Sequence, residues 1–170
     1  MVLIFQFGSN MSQERINSGE RLNGTAQFVD TAWTVEDFEF EFSVWSKSNS
    51  CAAANLARGR GCKIWGVLYE VHLQRVCGPI ESGMGKSLDR IEGEGVNYLR
   101  EKIDVQRCSD GKIVNAETYL ALKPQSGIQT SLHYIQHILD GLREHSAPAD
   151  YIEYVRKRII ENNPGLRDYI

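Results

Sequence analysis

The chain is 170 residues long, 42% hydrophobic and 24% charged, which suits one globular domain spanning 1–170 with a sizeable core. A formal charge of -3 and a pI near 5.8 provide no field that would draw in nucleic acid or an anionic membrane, and the one basic cluster, Arg156, Lys157 and Arg158, stands among acids. No stretch reaches the roughly 18 apolar residues of a membrane span, and the first residues enter a strand without the basic start of a signal peptide; a cytoplasmic chain with neither nucleic acid nor membrane as partner is expected.

The apolar run 2–7 predicts a buried strand, and it stops abruptly at Gly8, Ser9 and Asn10. Gly8 can adopt a conformation that other residues avoid, and Ser9 and Asn10 can hydrogen-bond locally or cap a helix over 12–16. Amides at a strand-to-helix corner attract a carboxylate or a developing oxyanion, although an ordinary capped turn carries the same signature. Residues 26–44 hold two strand signals. In the second, Phe38, Phe40 and Phe42 alternate with Glu39 and Glu41, which places the phenylalanines on a packed face and the glutamates in solvent. The Ser-, Ala-, Asn- and Gly-rich stretch 46–61 predicts a mobile loop or an irregular strand. A strong strand follows over 63–71, where Gly66 marks a bulge or the close approach of another backbone.

Residues 73–78 predict a helical turn and 79–85 a loop. Ser87 opens a short capped helix that halts at Gly93. Runs 97–107 and 112–122 form a hairpin about Ser109, Asp110 and Gly111. After a break at 124–127, helices are expected over 131–145, with Leu132, Ile135, Ile138, Leu139 and Leu142 on one face, and over 149–162. Strands first and helices last indicate an α+β fold whose mainly antiparallel sheet can curl into a barrel. Cys51, Cys62, Cys77 and Cys108 are too scattered for a zinc or redox motif. His133 and His137, four apart, lack the glutamate of a zinc-protease helix, so no metal is expected.

There is no nucleophile elbow, P-loop or dinucleotide fingerprint. Glu92 stands out because a short helix ends there beside a glycine and a strand begins, a place from which a side chain can enter the mouth of a curled sheet. On pattern alone a glutamate beside a glycine is ordinarily a surface residue, and its neighbour Glu94 reads as solvated.

Four segments in register resemble the γ-glutamylcyclotransferase-like family. Phe5-Gln6-Phe7-Gly8-Ser9-Asn10-Met11 is similar to its Tyr-Gly-Ser-Asn-Leu loop, and Ile64-Trp65-Gly66-Val67-Leu68-Tyr69-Glu70-Val71 to its Val-Trp-Gly-Val-Leu-Tyr-Glu strand. Leu88-Asp89-Arg90-Ile91-Glu92-Gly93 with Tyr98 resembles its Leu-Asp-x-x-Glu-Gly segment and following tyrosine. Tyr134 with Ile138, then Ala147-Pro148-Ala149-Asp150-Tyr151, resemble its closing helices and the Leu-Pro-x-x-Tyr between them. The resemblance implies a small mixed, mainly antiparallel β-barrel flanked by helices. It also implies release of 5-oxoproline from a γ-glutamyl amine, amino acid or peptide, without metal or organic cofactor, within glutathione and related γ-glutamyl metabolism.

Carried over by position, Glu92 is the general acid/base. Phe7, Gly8, Ser9, Asn10 and Met11 hold the glutamyl group, and Tyr98, Tyr119 and Tyr134 line the pocket. Such a reaction needs no protein nucleophile, because the substrate's α-amine attacks its own γ-carbonyl. The loop amides can bind either the α-carboxylate or the oxyanion, and the sequence leaves both jobs open. Phe7 stands where the family shows tyrosine, and Met11 where it shows leucine. Asn10 looks more like the γ-glutamylamine and general branches than the glutathione-specific one. Substrate choice rests on 46–61 and 79–87, and a homodimer is compatible with the chain. The competing expectation is a non-catalytic module on the same fold that binds a small carboxylate or a partner; a phosphate site at Gly8 to Asn10 ranks behind both, since no P-loop lysine follows.

Overall fold

The computed structural model describes residues 1–59 and 61–170. Among the described residues, seven strands form in chain order: β1 (Val2–Gln6), β2 (Gln27–Thr34), β3 (Phe38–Ser46), β4 (Cys51–Arg58), β5 (Trp65–Val71), β6 (Tyr98–Arg107) and β7 (Ile113–Ala121). Five of them close a barrel in the order β1-β5-β2-β6-β7, while β3 and β4 make a separate two-stranded ribbon. Neighbours in the barrel run antiparallel except at the closure, where β1 meets β7 in parallel at Ile4 and Glu117. The Thr118 hydroxyl tightens that closure by donating to the Phe5 carbonyl at 2.9 Å.

The described residues also form the α-helices α1 (Gln13–Ile16), α2 (Leu73–Cys77), α3 (Leu88–Glu92), α4 (Leu132–Glu144) and α5 (Ala149–Asn162). A final 3-10 segment, Pro164–Tyr169, had no counterpart in the sequence reading. The core joins barrel, ribbon and helices through fully buried Phe5, Phe38, Phe40, Trp65 and Tyr69. Gly66 is the predicted close approach: a Cβ there would lie 2.5 Å from the Gln6 carbonyl oxygen and 2.6 Å from the Phe5 ring. No helix among the described residues is long and apolar enough to cross a membrane.

Of the two readings of 46–61, the strand is the one that forms: Cys51–Arg58 pair along β3 with a register shift between Phe42 and Val44, and the first six residues are buried; Arg60 lies outside the described residues. Alanine and asparagine carry little intrinsic strand preference, but their small volume lets β4 be covered on both faces, which removes the alternation a sequence reading looks for. Two expectations, on Glu39 and Glu41 and on Leu132, are corrected. Glu39 and Glu41 are half-buried and engaged. Glu39 pairs with Arg158 at 2.8 Å, and Glu41 accepts from Ser43 at 2.6 Å and Asn55 at 2.9 Å. Leu132, placed on the apolar face of α4, opens that helix and is exposed.

Candidate active site

Two chain corners meet at the mouth of the barrel. At the first, β1 ends at Gln6 and Phe7 and Gly8 lead into a 3-10 turn over Ser9–Met11, closed by the Met11 amide donating to the Gly8 carbonyl at 3.1 Å. Gly8 has φ -108°, so the expected special conformation is not what the position requires. Its missing side chain leaves space instead, since a Cβ would point toward Ala54 Cβ at 3.4 Å and the Tyr134 hydroxyl at 3.8 Å. The cap of α1 is Ser12, accepting from the Arg15 amide at 3.4 Å; Asn10 is committed elsewhere.

At the second corner, α3 ends on Glu92. Gly93 takes a left-handed conformation at φ 72°, and the amides of Gly93 and Glu94 both donate to the Asp89 carbonyl at 2.9 Å, a glycine stop that turns the backbone sharply. The turn aims Glu92 across the barrel mouth. Asn10 Nδ2 donates to Glu92 Oε1 at 2.6 Å, joining residues 82 positions apart, and Arg21 Nη1 donates to Asn10 Oδ1 at 2.7 Å. The amide of Asn10 therefore links a cation to a carboxylate. Burial raises the Glu92 pKa, and Arg21, the Asn10 hydrogen bond and Arg15 pull against that rise without cancelling it. Glu94 is exposed, as expected.

The three tyrosines stand around this carboxylate and fix its surroundings. Tyr98 donates to the Ala54 carbonyl at 2.8 Å and Tyr134 accepts from the Ala54 amide at 3.1 Å, so both grip one residue of β4. Tyr119 donates to Asp89 Oδ1 at 2.6 Å, and Arg100 pairs with Asp89 at 3.1 Å, tying α3 to β6 and β7. Burial above all holds all three phenols protonated, their pKa values raised.

An open cleft of about 1050 Å³ leads to Ser9, Asn10, Glu92, Tyr98 and Tyr134. Below it a recess of about 30 Å³ adds Gln6, Phe7, Gly8, Thr118 and Tyr119. Of the residues expected at the site, only the Met11 side chain lines neither space. It is fully buried under α4, 2.7 Å from where a Cβ on Gly141 would sit, and its carbonyl accepts from the Tyr69 hydroxyl at 2.6 Å. Met11 anchors the turn from below. Phe7 packs edge-on to Phe40, with ring centroids 6.2 Å apart.

The cleft walls include Arg15, Arg21, Lys47, Lys86, Arg90 and Arg143, of which only Arg143 has an ion-pair partner among the described residues, Asp140 at 3.0 Å. Against them stand Glu14, Glu20, Glu92 and Glu144, the last accepting from the Gln13 amide at 3.1 Å. Arg15 Nε and His137 Nε2 are buried without a partner among the described residues. The Arg15 pKa is lowered to about 10 by burial and then by Arg21, and His137 is lowered by burial and then by Arg15. His133 and His137 touch edge-on at 5.0 Å, yet no three His, Cys, Asp or Glu side chains gather as metal donors among the described residues. Arg21 and the Gln6 amide were missed by the sequence reading. Gln6 did leave one mark, as the polar residue in an apolar run; Arg21 left none.

Comparison with known proteins bears on fold and family. A structure described as a gamma-glutamyl cyclotransferase superposes with a TM-score of 0.77, covering 91% of this chain and 86% of that one at 24% identity. The human uncharacterized protein loc79017 gives 0.76 over the same shares at 26% identity. YkqA of Bacillus subtilis gives 0.72 at 20% identity, with 93% of this chain spanning 54% of that one. No curated protein matches the chain in sequence. The model of the AIG2-like family matches residues 63–155, a stretch that takes in β5, α3 with Glu92, the β6–β7 hairpin and α4. With more than half of its length so matched, and its barrel shared with a gamma-glutamyl cyclotransferase, the chain belongs to the AIG2-like family.

Proposed function

We propose that the protein is a γ-glutamyl cyclotransferase that frees 5-oxoproline from a γ-glutamyl compound, with Glu92 as the proton carrier. The observation that carries this reading is the 2.6 Å hydrogen bond between Asn10 and Glu92, which brings the glycine corner and the end of α3 together at the floor of one cleft. The reaction needs a bent substrate and a proton relay. Folding the γ-glutamyl chain until its α-amine meets its γ-carbonyl makes the attack intramolecular, an advantage on the order of 7–11 kcal/mol in well-oriented systems.

Overall the α-ammonium gives up two protons and the departing nitrogen takes up two, so the balance closes without any other reactant. A carboxylate lifted toward neutrality by burial accepts a proton from the ammonium, returns it to the leaving nitrogen, and can repeat the exchange. The protonated phenols of Tyr98, Tyr119 and Tyr134 shape a pocket without adding charge beside it.

The unpaired cations of the cleft favour a leaving group that carries a carboxylate, as an amino acid or peptide does and a simple amine does not. Release of 5-oxoproline from γ-glutamyl-alanine and from γ-glutamyl-alaninamide, followed by proton NMR, tests both parts. Turnover of the acid at roughly ten times the kcat/KM of the amide, about 1.4 kcal/mol in transition-state binding, is expected. Binding of 5-oxoproline with no release from any γ-glutamyl compound would make the protein a carboxylate-binding module instead.

A further inference from the structure

Gln6 is the last residue of β1, 6% exposed, and its Nε2 is buried with no hydrogen-bond partner among the described residues. The residue lines the small recess that also touches Glu92. Most of its polar neighbours there are engaged: Tyr98 donates to Ala54, Tyr119 to Asp89 and Thr118 to Phe5, Tyr134 accepts from the Ala54 amide, and Asn10 uses both ends of its amide on Glu92 and Arg21; the Ser9 hydroxyl also lines the recess. A buried amide N–H left unpaired opposes folding, so a group kept in that condition calls for a ligand or a function. The recess, about 30 Å³, has room for one oxygen-sized occupant.

We infer that Gln6 is a substrate-contacting residue whose Nε2 donates a hydrogen bond to the scissile γ-carbonyl oxygen. The inference rests on the cyclotransferase reading. Glu92 must reach both the attacking and the departing nitrogen, and both are bonded to the γ-carbon at the moment of reaction. The third heteroatom on that carbon, the carbonyl oxygen, is then held within a few ångströms of Glu92, and the recess beside Glu92 is open to it. As the amine lone pair forms the new C–N bond, the carbonyl π pair moves to this oxygen, and the Gln6 N–H meets the growing negative charge. Collapse returns the pair to carbon and breaks the old C–N bond, with the proton for the departing nitrogen coming from Glu92. A donor fixed by burial before charge develops is the arrangement that stabilises such an oxyanion. With phenylalanine at position 7, no hydroxyl from that side chain competes for the place.

The test uses the intact chain and two variants, Gln6→Met, which keeps the length and removes the donor, and Gln6→Ala. Both are expected to lose about 10²-fold in kcat on γ-glutamyl-alanine with KM little changed, as for removal of an oxyanion donor, while Gln6→Met melts no lower than the parent because an unpaired buried polar group has gone. Equal kcat in parent and Gln6→Met would overturn the assignment and leave the cyclotransferase reading standing. A second readout does not depend on turnover: the Gln6 side-chain amide signal in a ¹⁵N–¹H spectrum, followed as 5-oxoproline is added. A shift of that signal in the parent is expected; 5-oxoproline bound with the signal unmoved contradicts the contact. A folded parent that neither turns over γ-glutamyl-alanine nor binds 5-oxoproline would remove both readings together.

Discussion

Glu92 is held between opposing influences, and that balance is open to measurement. Burial raises its pKa, while the Arg21 cation, acting beside and through Asn10, and to a lesser degree Arg15 favour the carboxylate. Arg21→Met removes a group that lowers the pKa, so the carboxyl should titrate at still higher pH, and the acid limb of kcat/KM should move the same way. Carbon-detected NMR of the Glu92 carboxyl reads this directly. A parent value at or below the ordinary 4.5, or a downward move in Arg21→Met, would be incompatible with the geometry. Linkage runs in the same direction. Because the folded-state pKa is raised, ionised Glu92 opposes folding above the ordinary carboxylate range, and the opposition is relieved as pH falls through the raised value. The helix stop at Glu92 and the strand end at Gly8-Ser9-Asn10 were legible as local signals, but those signals alone read as a surface glutamate and a capped turn, and the role given to each rested on the family resemblance. Arg21 lies between α1 and β2 and reaches Asn10 only after folding, so no local pattern marks it.

At the scale of elements, α3 is only five residues long and cannot hold its own direction. Its aim comes from both ends of its backbone geometry: Asp89 is clamped by Tyr119 and Arg100, and Gly93 turns the chain at φ 72°. Gly93→Ala forces a side chain into the left-handed region, at roughly 1–2 kcal/mol, and its Cβ would meet Asn97 Nδ2 at 2.8 Å. Denaturant unfolding should report a loss of about that size, and kcat should fall more than stability alone requires because the carboxylate is re-aimed. Unchanged kcat in a folded Gly93→Ala protein would show that the turn does not position Glu92. The glycine stop, the β6–β7 hairpin and both long helices were readable as punctuation and periodicity. The strand β4 could not be told from a loop, because Cys51-Ala52-Ala53-Ala54-Asn55 is covered by tertiary packing that small residues permit but do not announce.

Across the whole molecule, barrel closure converts these separate corners into one cleft. The parallel contact of β1 with β7, the grip of Tyr98 and Tyr134 on Ala54, and the packing of α4 against the Ser9–Met11 turn bring these distant stretches to one carboxylate. Barrel formation was expected from the order of strands and helices, but which strands would close it was not, since β1–β5, β5–β2 and β1–β7 join strands far apart in sequence. Glu92 is proposed to move protons for an intramolecular ring closure. Single-turnover release of 5-oxoproline from γ-glutamyl-alanine, compared between the parent and Glu92→Gln at equal folded concentration, addresses it most directly. The expected result is a loss of about 10²–10⁴-fold, the usual contribution of a general acid/base, in a variant that melts no lower than the parent at neutral pH. Equal rates in the two proteins would contradict it.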